Sequence, residues 1–170
     1  MSVTLEEARA LVLEHTPVLQ EEWVPLAEAV GRRLTREIRS TLFQPPFDRS
    51  PLDGYAVFAA DVAEAAPDRP VRLQVVDKLY AGMPSETGIR RGQAVRLMTG
   101  CMIPEGADTV IRQEDTDLGE DAVQIFHPGT AGKNICRRGE EYMPGELLLA
   151  AGARVDAAAA AVAAGAGLAE

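Results

Sequence analysis

The chain has 170 residues, 46% of them hydrophobic and 5% aromatic, and its 17 basic and 26 acidic residues give a net charge of −9. That length suits one domain or two small ones, with a core built mainly from Val, Leu, Ile and Ala and with Trp23, Phe43, Phe47, Phe58 and Phe126 as scattered anchors. The acidic balance excludes a general nucleic-acid or anionic-membrane surface, because phosphate binding draws its affinity from basic patches, so an anionic ligand must be met by local groups.

Thr4 and Glu7 have capping-box spacing, and Leu5, Ala8, Leu11 and Val12 share a face, which predicts a helix over 5–15 before Pro17 ends it. A shorter helix is predicted over 25–30, with Pro25 at its first position and Gly31 ending it, and 34–41 reads as extended. Tyr55 to Phe58 reads as a strand and 59–66 as a short helical turn. Strands then follow over 71–81, 94–98, 109–114, 122–126 and 145–149, separated by turns at Gly82-Met83-Pro84, 118–121, Pro128-Gly129 and Pro144-Gly145. The alanine-rich 156–164 reads as a helix with Asp156 as N-cap, not as a flexible linker. The whole predicts a mixed α+β fold, mainly β, with a β-rich domain over 46–139 inserted into a mixed unit made of 1–45 and 140–170.

Two segments carry polar groups on rigid turns. Pro45, Pro46 and Pro51 stiffen the run from Pro45 to Val57, in which Asp53-Gly54 turns into a strand. In 94–111, Val95 and Leu97 form a strand edge that Thr99-Gly100 breaks, leaving the Thr99 hydroxyl and nearby N–H groups placed to meet an anion. Each segment alone reads as ordinary loop punctuation. Lys133, Arg137 and Arg138 are the densest basic cluster, read either as a phosphate-facing rim or as a solvated loop. Glu140-Glu141 beside it is a local charge match, Arg96 and Asp108 pair or cap, and Ser50 hydrogen-bonds the Asp53 turn. Cys101 and Cys136 fit neither a disulfide framework nor a zinc site and read as buried free thiols. His15 and His127 lie outside any metal pattern. No apolar run is long enough to cross a bilayer and the start lacks signal-peptide regions, which points to the cytoplasm.

Ser50-Pro51-Leu52-Asp53-Gly54-Tyr55-Ala56-Val57 resembles the S-x-x-D-G-Y-A-V element of the molybdopterin molybdenumtransferase (MoeA, gephyrin E-domain-like) family. Met98-Thr99-Gly100, followed by Pro104-Glu105-Gly106-Ala107-Asp108-Thr109-Val110, is similar to that family's M-T-G-A-x-x-P-x-G-A-D-x-V element. Gly132-Lys133-Asn134-Ile135 and Arg138-Gly139-Glu140 look like its G-x-N-I-R-x-x-G-E-D stretch. Cys101 stands where the family has Ala, Cys136 where it has Arg, and Glu141 where it has Asp. The longer carboxylate shifts its oxygens by about one methylene, and Arg137 or Arg138 takes over the lost phosphate contact.

The resemblance covers the N-terminal region of the family. It implies an elongated module with an inserted β domain, followed in the intact protein by a pterin-binding α/β domain and a C-terminal β-barrel that this chain lacks. The implied activity of the intact protein is insertion of molybdate into adenylylated molybdopterin with Mg²⁺ or a similar divalent cation, by a homodimer; the truncated chain alone is expected to be inactive. Asp53 and Thr99 match positions tied to catalysis, and Ser50, Gly100, Lys133, Arg137, Arg138 and Glu141 are the candidates for substrate binding. Asp53 would repel an oxyanion, so it is assigned a cation whose remaining ligands lie in the missing domain, while Thr99 donates to an oxyanion. The alternative is a noncatalytic, gephyrin-like interaction or scaffold module.

Overall fold

In the computed structural model, which describes residues 3–84, 86 and 88–170, the chain divides into two compact units, Met1–Arg39 with Leu147–Glu170 and Ser40–Glu146. Residues 40–45 and 140–146 pair with each other inside the second unit. Ser40 N–H donates to Glu146 O at 2.9 Å, and Gln44 N–H donates to Tyr142 O at 2.9 Å.

In the first unit, helix α1 spans Leu5–Glu14, and its first turn closes the predicted capping box. Thr4 N–H donates to Glu7 Oε2 at 2.8 Å and Glu7 N–H to Thr4 Oγ1 at 3.2 Å. No residue of α1 is buried. The predicted helix over 25–30 is a single 3-10 turn, Leu26–Glu28, with Pro25 just before it. The chain ends then run antiparallel. Val155 N–H bonds to Arg32 O and Leu34 N–H to Ala153 O, both at 2.9 Å. Beyond them strand β1, Ile38–Arg39, meets a late strand, Leu147–Leu149. Regular strand is thus shorter here than the extended 34–41 predicted. The C-terminal helix, Ala157–Gly165, is capped by Asp156, which accepts from Ala159 N–H at 2.8 Å, and it buries Ala159 and Ala163. Alanine supplies both high helix propensity and close approach.

The second unit is a five-stranded sheet. Its strands are β2 (Gly54–Val57), β3 (Val71–Leu79), β4 (Gln93–Leu97), β5 (Thr109–Arg112) and β6 (Ala122–Ile125), in the order β5-β2-β4-β3-β6. The β3–β4 pair is parallel and the other pairs are antiparallel. The Leu147–Leu149 strand is β7, and the helices Ala59–Val62 and Ala157–Gly165 are α2 and α3.

Both faces of this sheet are covered. Tyr55, Val57, Val62, Leu73, Ile111, Val123 and Ile125 pack on one side, and Ala56, Leu79, Val95, Leu97, Cys101, Val110 and Ile135 on the other. Interior strand β2 is buried at every residue, as a strand with both faces covered must be. Gly54 has its own constraint, since a Cβ there would lie 2.1 Å from the Ile111 carbonyl oxygen across the β2–β5 pair. The Asp-Gly-Tyr-Ala-Val run thus combines a backbone contact only glycine tolerates with side chains that fill two cores.

Some expectations fail for physical reasons. Trp23 is 73% exposed and anchors no core, and Phe43, Phe47, Phe58 and Phe126 are only half-buried. The buried aromatic is Tyr55, whose hydroxyl donates to Gly119 O at 3.0 Å. Strand β5 stops at Arg112, not Glu114, because Gln113–Asp115 form a 3-10 turn in which Arg112 grips Asp115 through Nε and Nη2 at 2.9 and 2.8 Å. Cys101 is fully buried and donates its thiol to Leu79 O at 3.2 Å, whereas Cys136 is only half-buried.

Candidate functional site

The three sequence motifs meet through the backbone of residues 48–50. Arg49 exchanges both main-chain hydrogen bonds with Cys136, each at 2.9 Å. On the other side Ser50 N–H donates to Cys101 O at 2.9 Å, Gly100 N–H to Ser50 O at 2.8 Å and Ile103 N–H to Asp48 O at 2.9 Å. Segment 48–50 therefore lies as a middle strand between the 100–103 and 136–138 segments without belonging to the regular sheet. Ser50 is fully buried, and its hydroxyl donates to Leu52 O at 2.6 Å, which shapes the turn. Gly100 takes φ +87°, a left-handed conformation suited to glycine, and its N–H is already bonded.

Asp53 and Thr99, 46 residues apart in sequence, form one unit. Thr99 donates to Asp53 Oδ1 from both its N–H, at 2.7 Å, and its hydroxyl, at 2.9 Å. An ionised carboxylate only accepts, so the hydroxyl proton must point at Asp53. The Thr99 donor expected to face an anion is thus spent within the chain, and the hydroxyl oxygen presents its remaining lone pair. These bonds, first from the Thr99 backbone and then from its hydroxyl, hold the Asp53 carboxyl below its usual range, with the Arg96 charge adding to them. Both bonds fall on Oδ1, which leaves Oδ2 for a ligand.

The basic loop is organised by Asp48, which the sequence reading did not single out. Arg137 Nη1 donates to Asp48 Oδ2 at 2.7 Å, and Arg138 N–H donates to Oδ1 at 2.8 Å. Partial burial pushes the Asp48 carboxyl up, but these donors and the Arg137 charge outweigh it and hold the group below its ordinary value. The Arg138 guanidinium stacks 3.9 Å from the Phe43 ring centre, which fixes its plane. Glu141 Oε1 accepts from Arg49 Nη2 at 3.3 Å, and Glu140 Oε2 accepts from Arg137 N–H at 2.7 Å. Lys133 follows Gly132, whose Cβ position would lie 3.5 Å from Arg137 Nη2. The Lys133 carbonyl accepts from Val110 N–H at 3.2 Å, and the Lys133 charge acts on Asp115, whose carboxyl is lowered first by Arg112.

A family model, "MoeA N-terminal region (domain I and II)", matches residues 3–167. The chain belongs to that family. It is 40% identical over 157 residues to the molybdopterin molybdenumtransferase of Bacillus subtilis, covering 90% of this chain and 36% of that protein. It is 38% identical over 170 residues to the Haemophilus influenzae molybdopterin molybdenumtransferase, covering 99% and 41%. A crystal structure of the molybdopterin biosynthesis moeA protein from Pyrococcus horikoshii OT3 superposes with a TM-score of 0.89 at 34% identity, over 96% of this chain and 44% of that one. The chain thus spans about two fifths of the length of these relatives. The mixed, mainly β fold read from the sequence is the fold of this MoeA region.

In this MoeA region no group of three or more His, Cys, Asp or Glu side chains among the described residues could hold a metal ion. Mg²⁺ keeps several waters and takes one or two carboxylates plus phosphate oxygens, so Asp53 Oδ2 fits as a single ligand and not as part of a cage. No helix among the described residues is long and apolar enough to cross a membrane. Asp48 and Arg49 were the residues missed, and the Asp48 side chain after Pro-Pro-Phe was the available signal.

Asp48, Asp53 and Asp115 all have lowered carboxyl pKa values, so each contributes stability that is present above its unfolded value and is lost as pH falls through the folded one. Urea unfolding should show stability flat from neutral pH down to about 5 and then falling below about pH 4. Asp53→Asn should reduce that acid-induced loss, and an unchanged loss in this variant would contradict the Asp53–Thr99 bonding.

Proposed function

We propose that this chain is the N-terminal part of a molybdopterin molybdenumtransferase, which inserts molybdate into the dithiolene of adenylylated molybdopterin and releases AMP during molybdenum cofactor biosynthesis. The observation that carries this reading is the joining of Asp53 and Thr99, one from each of two family motifs, by two hydrogen bonds at the edge of a rigid strand assembly. The names of the relatives support the substrate class.

In this reading Asp53 stays ionised and presents Oδ2. Thr99 fixes the carboxylate plane by donating twice to Oδ1 and so acts through Asp53. A divalent cation such as Mg²⁺, when bound, would neutralise phosphate and molybdate charge beside this carboxylate. Arg137 and Arg138, held by Asp48 and Phe43, offer fixed positive charge for substrate phosphate, while Ser50 and Gly100 set the loop geometry. Glu141, paired with Arg49, restrains the same rim, and Lys133 adds positive charge one residue beyond Gly132, against which Arg137 lies. Cytoplasmic location accords with the biosynthetic role.

We assign a homodimer to the same reading. Leu5, Leu13, Val18, Leu19 and Trp23 are 79%, 63%, 97%, 88% and 73% exposed, an apolar content that asks for a protein cover. Sedimentation at micromolar concentration should give a dimer, and Leu5→Glu with Leu13→Glu should shift it toward monomer. A wild-type chain that stays monomeric across that range would reject this assignment.

The activity is tested in the longer protein that contains this region. Asp53→Asn and Thr99→Val should each lower AMP release from adenylylated molybdopterin on the order of 10- to 100-fold. The double variant should be no worse than the worse single one, because the two side chains act as one unit. Parental activity in both single variants would reject the assignment.

A further inference from the structure

A cavity of about 300 Å³ opens along the β3–β4 pair, lined by Val75, Val76, Asp77, Lys78, Arg96, Glu120 and Asp121. Its origin is a register break. Val75 pairs with Ala94 and Asp77 with Val95, so Val76 is an extra residue that bulges the parallel pair. Tyr55 pairs with Arg96 across β2–β4, and Lys78 pairs with Arg96 across β3–β4, which sets the two cations side by side in one row.

The charges in this row are incompletely answered. Arg96 Nη1 lies 3.5 Å and Lys78 Nζ 3.7 Å from the same oxygen, Glu120 Oε1. Both separations exceed those of strong charge-assisted hydrogen bonds. The Arg96 side chain is 16% exposed and its Glu120 partner 77% exposed. Arg96 Nε is buried without a hydrogen-bond partner, and the guanidinium otherwise faces the Tyr55 ring at 5.9 Å. A guanidinium carries five N–H donors in a planar fork that matches an oxyanion. Here one loosely held, solvent-facing carboxylate stands in for such a partner.

The acidic lining narrows the ligand. Asp77 and Asp121 also border the cavity, so with Glu120 in place three carboxylates face two cations. A fully ionised anion would be repelled by that set. If Glu120 turns out to solvent, two cations face two carboxylates, of which Asp77 already accepts from Lys78 N–H at 2.7 Å, and a ligand with acceptor oxygens for the cations and one hydroxyl to donate to the other carboxylate fits the set. We propose that this cavity binds a small oxyanion carrying its own hydroxyl, namely hydrogen phosphate, between Lys78 and Arg96, with Glu120 as the group it displaces. The proposal takes no premise from the molybdenum-transfer reading, although Arg96 also lends its charge to Asp53.

The test is an amide NMR titration of the 170-residue chain with sodium phosphate, and with sodium sulfate at matched ionic strength. Phosphate should give saturable shifts centred on residues 76–78, 96 and 120–121. Sulfate, which lacks the hydroxyl at neutral pH, should bind about tenfold more weakly for want of one hydrogen bond. Glu120→Gln should tighten phosphate binding about fivefold and Lys78→Gln weaken it about fivefold, the scale of one partly exposed charge pair. Arg96→Gln should abolish binding, and the more exposed Lys78 variant carries the test if Arg96→Gln fails to fold. Three results would overturn the proposal: shifts that do not saturate, affinity unchanged in both the Glu120 and Lys78 variants, or sulfate binding equal to phosphate.

Discussion

The reciprocal backbone pairing of Arg49 with Cys136, flanked by Ser50 with Cys101 and by Gly100 with Ser50, is the constraint on which the rest of the second unit's polar edge depends. It makes a loop rich in proline behave as a middle strand, so that three segments distant in sequence share one frame. Buried backbone groups must find partners, and here each partner belongs to another motif. Displacing 48–50 would leave donors on the other two segments unpaired at once.

From that frame the side chains acquire fixed roles. Asp53 leaves the stitched segment just before β2 enters the sheet, and Thr99 leaves β4 just before Gly100 turns back, so the two meet at a junction whose backbone is held on both sides. Arg137 is paired with Asp48 and Arg49 with Glu141, while Arg96 adds its charge to Asp53 from a distance. Charge is thus partitioned within a few residues: a carboxylate with one oxygen presented at one end, guanidinium groups held by acids and an aromatic ring at the other.

What the sequence made legible was local. The Thr4–Glu7 box, the Asp156 cap, the alanine helix and the five strands of the sheet follow from spacing and propensity, and their structure agrees closely with them. The motif strings singled out Asp53 and Thr99, but not that Thr99 would direct its proton at Asp53, because that depends on tertiary register. The parallel β3–β4 pairing and its bulge at Val76 left no periodic trace. Trp23 misled because a large aromatic residue usually seeks a core, whereas this one sits in a segment exposed from Thr16 to Trp23. The Arg137 and Arg138 side chains read as a rim or a solvated loop, and the deciding partner, Asp48, lies 89 residues from Arg137.

The stitched loop is the central claim, and residue-resolved amide hydrogen exchange tests it most directly. The amides of Arg49, Ser50, Gly100, Ile103 and Cys136 should exchange as slowly as those of β2 and β4, through the same cooperative unfolding. Exchange of these five amides at the rate of exposed loops, with β2 and β4 still protected, would contradict it.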